Sequence, residues 1–206
     1  VRWGMSLFVQ KLISSIVEII VFTLVPFIWW LIRYRKECGF FEWIGLKIPT
    51  RVKENHLIWT MAGVTVPFMV LSTYMLFAFK NVEMATSEFA GLGIKAVPAI
   101  LVYAILNTSL PEEILFRGFI LKRLSKQSGF ISGNTMQAIF FGIIHGAMFF
   151  NHIGAIKAGI ITVFTGVIGW LMGFINEKRA DGSIIPSWCI HALVNIFSGV
   201  CAAFLL

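Results

Sequence analysis

Charge is what this sequence has least of. Only 13% of its 206 residues are Asp, Glu, Lys or Arg, against 58% hydrophobic, where soluble domains run near about 25% charged and about 45–50% apolar. That shortage excludes an ordinary soluble domain and points to a chain solvated by lipid. Cysteine is scarce too: Cys38, Cys189 and Cys201 are odd in number and lack C-x-x-C spacing, so neither a disulfide framework nor a zinc knuckle is indicated and the three read as free thiols. No Ser/Pro-rich linker, low-complexity tract or internal repeat divides the chain, so residues 1–206 read as a single membrane-embedded domain. The first apolar run is too long for the core of a signal peptide, and no small-residue cleavage site follows it, which makes it a retained span. The net charge of +7 does not argue for nucleic acid as a partner, because the Lys and Arg residues fall in short segments between apolar runs and form no clustered basic face.

What the sequence does hold is long apolar runs. A hydrocarbon core of about 30 Å needs about 20 apolar residues in a helix. Six stretches meet that need, at roughly 7–32, 57–79, 97–121, 134–151, 158–176 and 184–206. The expected fold is therefore all-α, a polytopic transmembrane helix bundle of about six spans. The first span contains Lys11 and Glu18, so its outer part is expected either to be interfacial or to pack against other helices. The loops then sort by sign. Segment 33–56 carries Arg33, Arg35, Lys36, Lys47, Arg51 and Lys53; segment 122–133 carries Lys122, Arg123 and Lys126; segment 177–183 carries Lys178 and Arg179. The alternate loops hold only Lys80, Lys95 and the border residue Lys157, beside Glu83 and Glu88. The positive-inside rule puts the basic loops in the cytoplasm and both termini outside, with the basic residues facing anionic lipid. The aromatic run Gly39 to Trp43, with Gly45, reads as a reentrant or interfacial segment.

An ionisable side chain at mid-membrane costs at least about 2.5–3.5 kcal/mol, so each one calls for a partner or a function. Span three holds Glu112, Glu113 and Arg117, span four holds His145, and span six holds His191 with Asn195 one turn on. A rise of about 1.5 Å per residue sets Glu112, His145, His191 and Asn195 about 10–16 Å from the same end of the bundle. Convergence on one site is the simplest explanation. Glu113 and Arg117, at i and i+4, form a helix-face ion pair, whereas Glu112 points about 100° away and is free to face a cavity. Pro111 removes a backbone N–H and frees the carbonyl of Asn107 just before the carboxylates. A free carboxylate and a histidine at one depth can activate water, and His191 with Asn195 can hydrogen-bond an oxygen on which charge develops. Phe141, one turn from His145, is placed to wall that cavity. Gly142, Gly146, Gly166, Gly169 and Gly173 read as close helix packing, and His56 and His152, at loop borders, read as solvated.

Taken in order on separate spans, Glu112-Glu113-x-x-x-Arg117, Phe141-x-x-x-His145 and His191-x-x-x-Asn195 resemble the three motifs of the CAAX protease and bacteriocin-processing family of intramembrane proteases. The resemblance covers about residues 97–200. It implies an intramembrane endopeptidase in which Glu112 and His145 hold the nucleophilic water, His191 and Asn195 form the oxyanion site, and Glu113 and Arg117 support them. It implies a membrane-associated peptide or protein as substrate, in a bacterial cell membrane, with roles in peptide maturation, bacteriocin self-immunity or regulation of membrane proteins. The depth estimate puts the cavity nearer the cytoplasmic face. No cofactor is favoured, since no H-E-x-x-H pair is present; in the metal-dependent version Glu112, His145 and His191 would hold zinc. Two other classes stand beside this reading. The same Glu/His set could serve a proton- or ion-coupled transporter, although no inverted repeat is apparent, or it could pack helices in a non-catalytic membrane adaptor.

Overall fold

With no water to satisfy a lipid-exposed backbone, an apolar chain of this kind must satisfy its N–H and C=O groups internally, as helices do. The computed structural model describes residues 5–50, 54–78 and 84–206, and no strand occurs among them. Arg51, Lys53, Lys80 and Glu83, assigned above to loops, lie outside the described residues. The helices are α1 (Leu7–Arg33), the short α2 (Phe40–Ile44), α3 (Glu54–Ala78) and α4 (Gly93–Ser128). They continue with α5 (130–153), α6 (155–179) and α7 (Ile185–Leu205).

Five helical stretches among the described residues are long and apolar enough to cross a membrane. The stretch 130–179 is longer than one crossing needs. It breaks at Gly154, whose φ of 78° is not helical, and it doubles back, so the described residues form six long helical arms at the places of the six apolar runs. The two arms are stitched by Asn134 Nδ2 donating to the Trp170 carbonyl at 2.9 Å and Gln137 Nε2 donating to the Gly169 carbonyl at 3.0 Å. The sequence reading expects a loop between 151 and 158; the structure needs only one residue in the left-handed region to turn the chain. Gly142 faces the Thr162 carbonyl so closely that a Cβ there would collide with backbone. Gly142→Ala is accordingly expected to cost about 1–3 kcal/mol, read as a lower midpoint of thermal unfolding in detergent. Gly159→Ala, where a Cβ meets nothing within 4 Å, should leave the midpoint unchanged or raise it.

The basic loops do gather at one end. Lys122 Nζ donates to Glu177 Oε1 at 2.9 Å and to the Gly182 carbonyl at 2.7 Å. The Ile184 N–H donates to the Gly45 carbonyl at 2.8 Å, and Ser183 Oγ to the Lys47 carbonyl at 2.5 Å. Helix α2 is part of this closure, with Ile44 fully buried and its side chain against Gly118 of α4. At the opposite end Phe89 is fully buried against Tyr103. Lys11 pairs with Glu88 and lies over both of those rings. Of the two options for Lys11, packing against another part of the chain is the one realised.

Helix α4 carries the local irregularity that the site depends on. Residues Tyr103–Ser109 and Glu113–Leu121 run in wider, i→i+5 turns on either side of Pro111. Proline has no N–H to donate, and such widened turns recur at functional sites. One carbonyl of the first wide turn finds a partner elsewhere: Ile105 accepts from Trp188 Nε1 at 2.9 Å, tying α4 to α7.

Candidate active site

The site is built on a fully buried ion pair. Glu113 and Arg117 have no exposed surface, and Arg117 Nη1 donates to Glu113 Oε1 at 2.9 Å. A carboxylate in that environment needs every lone pair engaged. Ser187 Oγ donates to Glu113 Oε2 at 2.5 Å, while its own oxygen accepts from Asn176 Nδ2 at 2.7 Å. The remaining contact reaches the histidine, with His191 Nδ1 lying 3.1 Å from Glu113 Oε1. Because a carboxylate paired to arginine accepts, His191 Nδ1 carries the proton. The pair that helical spacing reads as structural support therefore also fixes the tautomer and orientation of a site histidine.

Phe141 lies at the centre of this layer and is almost fully buried. The Arg117 guanidinium sits 4.2 Å from its ring centre, and the His145 and His191 rings approach at 4.3 and 6.4 Å. One aromatic ring thus packs against the buried arginine and the His145 imidazole, while Arg117 and His191 meet on the shared Glu113 Oε1. Its carbonyl has a second use, because it stands 2.8 Å from His145 Nδ1. A carbonyl can only accept, so His145 is also protonated at Nδ1.

Both Nε2 atoms then face Glu112. Glu112 Oε2 is 3.9 Å from His145 Nε2 and 3.9 Å from His191 Nε2, and this buried oxygen has no hydrogen-bond partner. Three groups on three helices surround one point without touching each other. Donor separations of 3.9 Å exceed the roughly 3.3 Å implied by tetrahedral zinc with bonds of about 2.0–2.1 Å. Among the described residues no three His, Cys, Asp or Glu side chains stand close enough, as arranged, to hold a metal.

Asn195 reaches the same cavity, but its amide is engaged. Nδ2 donates to Thr108 Oγ1 at 2.8 Å and to Ser109 Oγ at 3.3 Å, while the Thr108 hydroxyl donates to the Tyr103 carbonyl at 3.3 Å. Both amide protons are spent on α4, so Asn195 offers no free donor to a substrate until the longer bond opens. The cavity that these residues close has a volume of about 260 Å³. Glu112, His145, His191 and Asn195 form its polar floor, and its walls rise past Phe68, Met75, Phe149 and Phe164 to Met84 and Thr86. It lies at mid-height on α4 and extends away from the basic loops, because the Glu113 network and the Lys122 bridges fill that end.

Several site residues escaped the sequence reading. Ser187 was legible, since Ser187, His191 and Asn195 recur at four-residue intervals on one face of α7. Asn176, Thr108 and Ser109 carried no local signal. Glu18 remains an intramembrane acid, half-buried beside Asn107 and within electrostatic reach of Glu112. His56 and His152 are exposed, in keeping with a solvated role.

Compared with known proteins, residues 94–197 match the family model described as Type II CAAX prenyl endopeptidase Rce1-like. That match contains every motif residue discussed above. No curated protein and no solved structure matches the chain.

Proposed function

The chain belongs to the Type II CAAX prenyl endopeptidase Rce1-like family, an intramembrane protease family, and from that premise we propose that Glu112, His145 and His191 activate water to cleave a membrane-associated peptide or protein. The observation that carries the proposal is Glu112 Oε2, buried, unpartnered and equidistant from two imidazole nitrogens. With Nδ1 engaged by the Phe141 carbonyl and by Glu113, both Nε2 atoms face that point. A bound water can donate only two hydrogen bonds, so the proposed mechanism uses Glu112 and His145 as its acceptors and places a proton on the third group, His191 Nε2, whose ring rests through Nδ1 on the Glu113 carboxylate.

The steps follow from that count. Water donates to Glu112 Oε2 and His145 Nε2, which leaves an oxygen lone pair aimed at the scissile carbonyl carbon. As the C–O bond forms, Glu112 takes the proton as general base, and the carbonyl oxygen becomes an oxyanion that accepts from His191 Nε2–H. Collapse breaks the C–N bond, and Glu112 returns the proton to the leaving amine. The products are a carboxylic acid and an amine. Asn195 joins the oxyanion site when it releases Ser109, and Arg117 and Phe141 hold the layer beneath. The apolar walls suit a substrate segment rich in aliphatic or aromatic side chains, drawn from the membrane. The physiological setting we favour is a bacterial cell membrane with the basic loops in the cytoplasm, in peptide maturation, self-immunity or membrane-protein regulation. Comparing the membrane proteomes of cells carrying wild type and Glu112→Gln tests this reading: a substrate intact only in the variant supports it. No difference, together with Glu112-dependent proton flux in proteoliposomes, would transfer the site to a transporter.

A zinc-dependent version has one specific observation in its favour. Both histidines donate Nδ1–H to an acceptor, as metal-bound histidines commonly do, which leaves two nitrogen lone pairs and a carboxylate converging. Their spacing in this geometry does not fit the ion, so no step is routed through it. Purified protein is expected to carry far less than stoichiometric zinc and to keep its activity after chelation. Stoichiometric zinc that disappears in His145→Ala would replace the proposed mechanism.

A further inference from the structure

The basic end of the bundle holds cations that the protease site does not use. Helix α1 ends at Arg33, and the following turn sets Tyr34, Arg35 and Lys36 where the membrane span stops. Arg123 and Lys126, near the end of α4, come to the same place. The Arg123 guanidinium lies 4.3 Å from the Trp43 ring centre and 5.3 Å from that of Tyr34, and Lys126 Nζ lies 5.4 Å from Tyr34. Arg123 and Lys126 thus flank one tyrosine, with Arg33, Arg35 and Lys36 beside it in the chain. Elsewhere Lys11 pairs with Glu88, Lys47 with Asp181, Arg117 with Glu113 and Lys122 with Glu177, while Lys178 and Arg179 lie over the Phe130 and Phe174 rings. Among the described residues, Arg33, Arg35, Lys36, Arg123 and Lys126 form no ion pair with a carboxylate. The acids nearby are Glu37, exposed in the same turn, Glu42, exposed beside Trp43 on α2, and Glu177, already held by Lys122.

Arg123 shows that this is a built site as well as a run of topology signals. It is half-buried, its guanidinium lies over the Trp43 indole and beside Tyr34, and its Nε is buried with no hydrogen-bond partner. The two rings confine the guanidinium, and a guanidinium so confined is preorganised for two parallel hydrogen bonds to a phosphate. The surroundings select the form in which phosphate arrives. The last turns of α1 turn Ile28 and Ile32 outward, Ile32 to 73% exposure, and Trp29 meets Phe119 of α4 beside Trp43. An acyl chain lying along that face would place its headgroup at Arg123.

We propose that Arg123 and Lys126, with Arg33, Arg35 and Lys36 around Tyr34, bind the phosphate of an anionic phospholipid at the basic end of the bundle. The lipid clamps α1 and α2 to α4 there, at the end opposite the open side of the active-site cavity, and is distinct from any substrate. Charge complementarity and the adjoining apolar face together favour a lipid over a soluble anion.

The test uses the full chain reconstituted in vesicles of phosphatidylcholine with phosphatidylglycerol, followed by native mass spectrometry of the released protein. Wild type is expected to retain phosphatidylglycerol in preference to phosphatidylcholine. The triple variant Arg35→Gln/Lys36→Gln/Lys126→Gln alters only exposed side chains, so folding is spared, and it should lose retention about tenfold. Arg123→Gln should do the same. Lys178→Gln/Arg179→Gln, which removes two charges from the same end but against Phe130 and Phe174, should have no effect. Equal loss in all three variants would reduce the site to diffuse surface charge and overturn the proposal. Ready displacement of the lipid by millimolar inorganic phosphate would overturn the lipid assignment in favour of a soluble anion.

Discussion

Glu112→Gln is expected to lower kcat for cleavage of a membrane-associated peptide by about 10³-fold or more while leaving the fold intact. Glutamine keeps the shape of the side chain and an oxygen for water to donate to, but it cannot take a proton. The structural cost is small because Glu112 Oε2 makes no hydrogen bond to the protein and its nearest polar neighbours, His145 Nε2 and His191 Nε2, lie 3.9 Å away. The thermal midpoint should therefore hold or rise as activity disappears. His145→Ala should also inactivate, since the Phe141 carbonyl loses its partner and the proposed water loses its second acceptor. Measurement of kcat and unfolding midpoint on the same detergent preparations decides the matter. Cleavage within tenfold of wild type in Glu112→Gln would end the case for a general-base carboxylate, and a parallel fall in midpoint would make the residue structural.

The reason Glu112 could be singled out from the sequence is that helical geometry is local. Adjacent residues on a helix point about 100° apart, so Glu112 and Glu113 had to have different surroundings, and they do: one faces a cavity and the other is sealed. Depth is local as well, since counting residues along each span set Glu112, His145 and His191 at one level. The rotation of one helix about its axis relative to another is not local. No spacing within α4 or α7 announces that Glu113 reaches His191, or that Asn176 of α6 supports Ser187, because those contacts depend on how three helices are turned toward one another. Asn195 shows the same limit from the other side: its spacing from His191 put it in the site, but only packing shows that Thr108 and Ser109 take both its amide protons. The direction of the cavity was likewise hidden, because the residues that close the basic end come from four separate segments.

Removing the Glu113 charge is expected to have the largest effect on stability, and its pattern separates support from positioning. In Glu113→Leu the Arg117 guanidinium, fully buried, is left without a counter-charge, a change that costs about 3–5 kcal/mol. Arg117→Met, which strands the carboxylate, should cost a similar amount. In the double variant Glu113→Leu/Arg117→Met neither charge remains, and apolar side chains fill the space between Met172 and Phe141. Stability should recover most of the loss, as when other buried ion pairs are replaced together, short of wild type by about 1–3 kcal/mol because His191 Nδ1–H is left without its acceptor. Activity should not return with it. His191 Nδ1 has lost its acceptor 3.1 Å away, so its ring is free to turn and no longer holds a proton toward the oxyanion, and kcat should stay about 10²-fold down. Thermal unfolding and kcat across the three variants give the answer. If the double variant recovers both, Glu113 is only half of a helix-packing pair, and the orientation of His191 must come from Phe141 and the neighbouring helices alone.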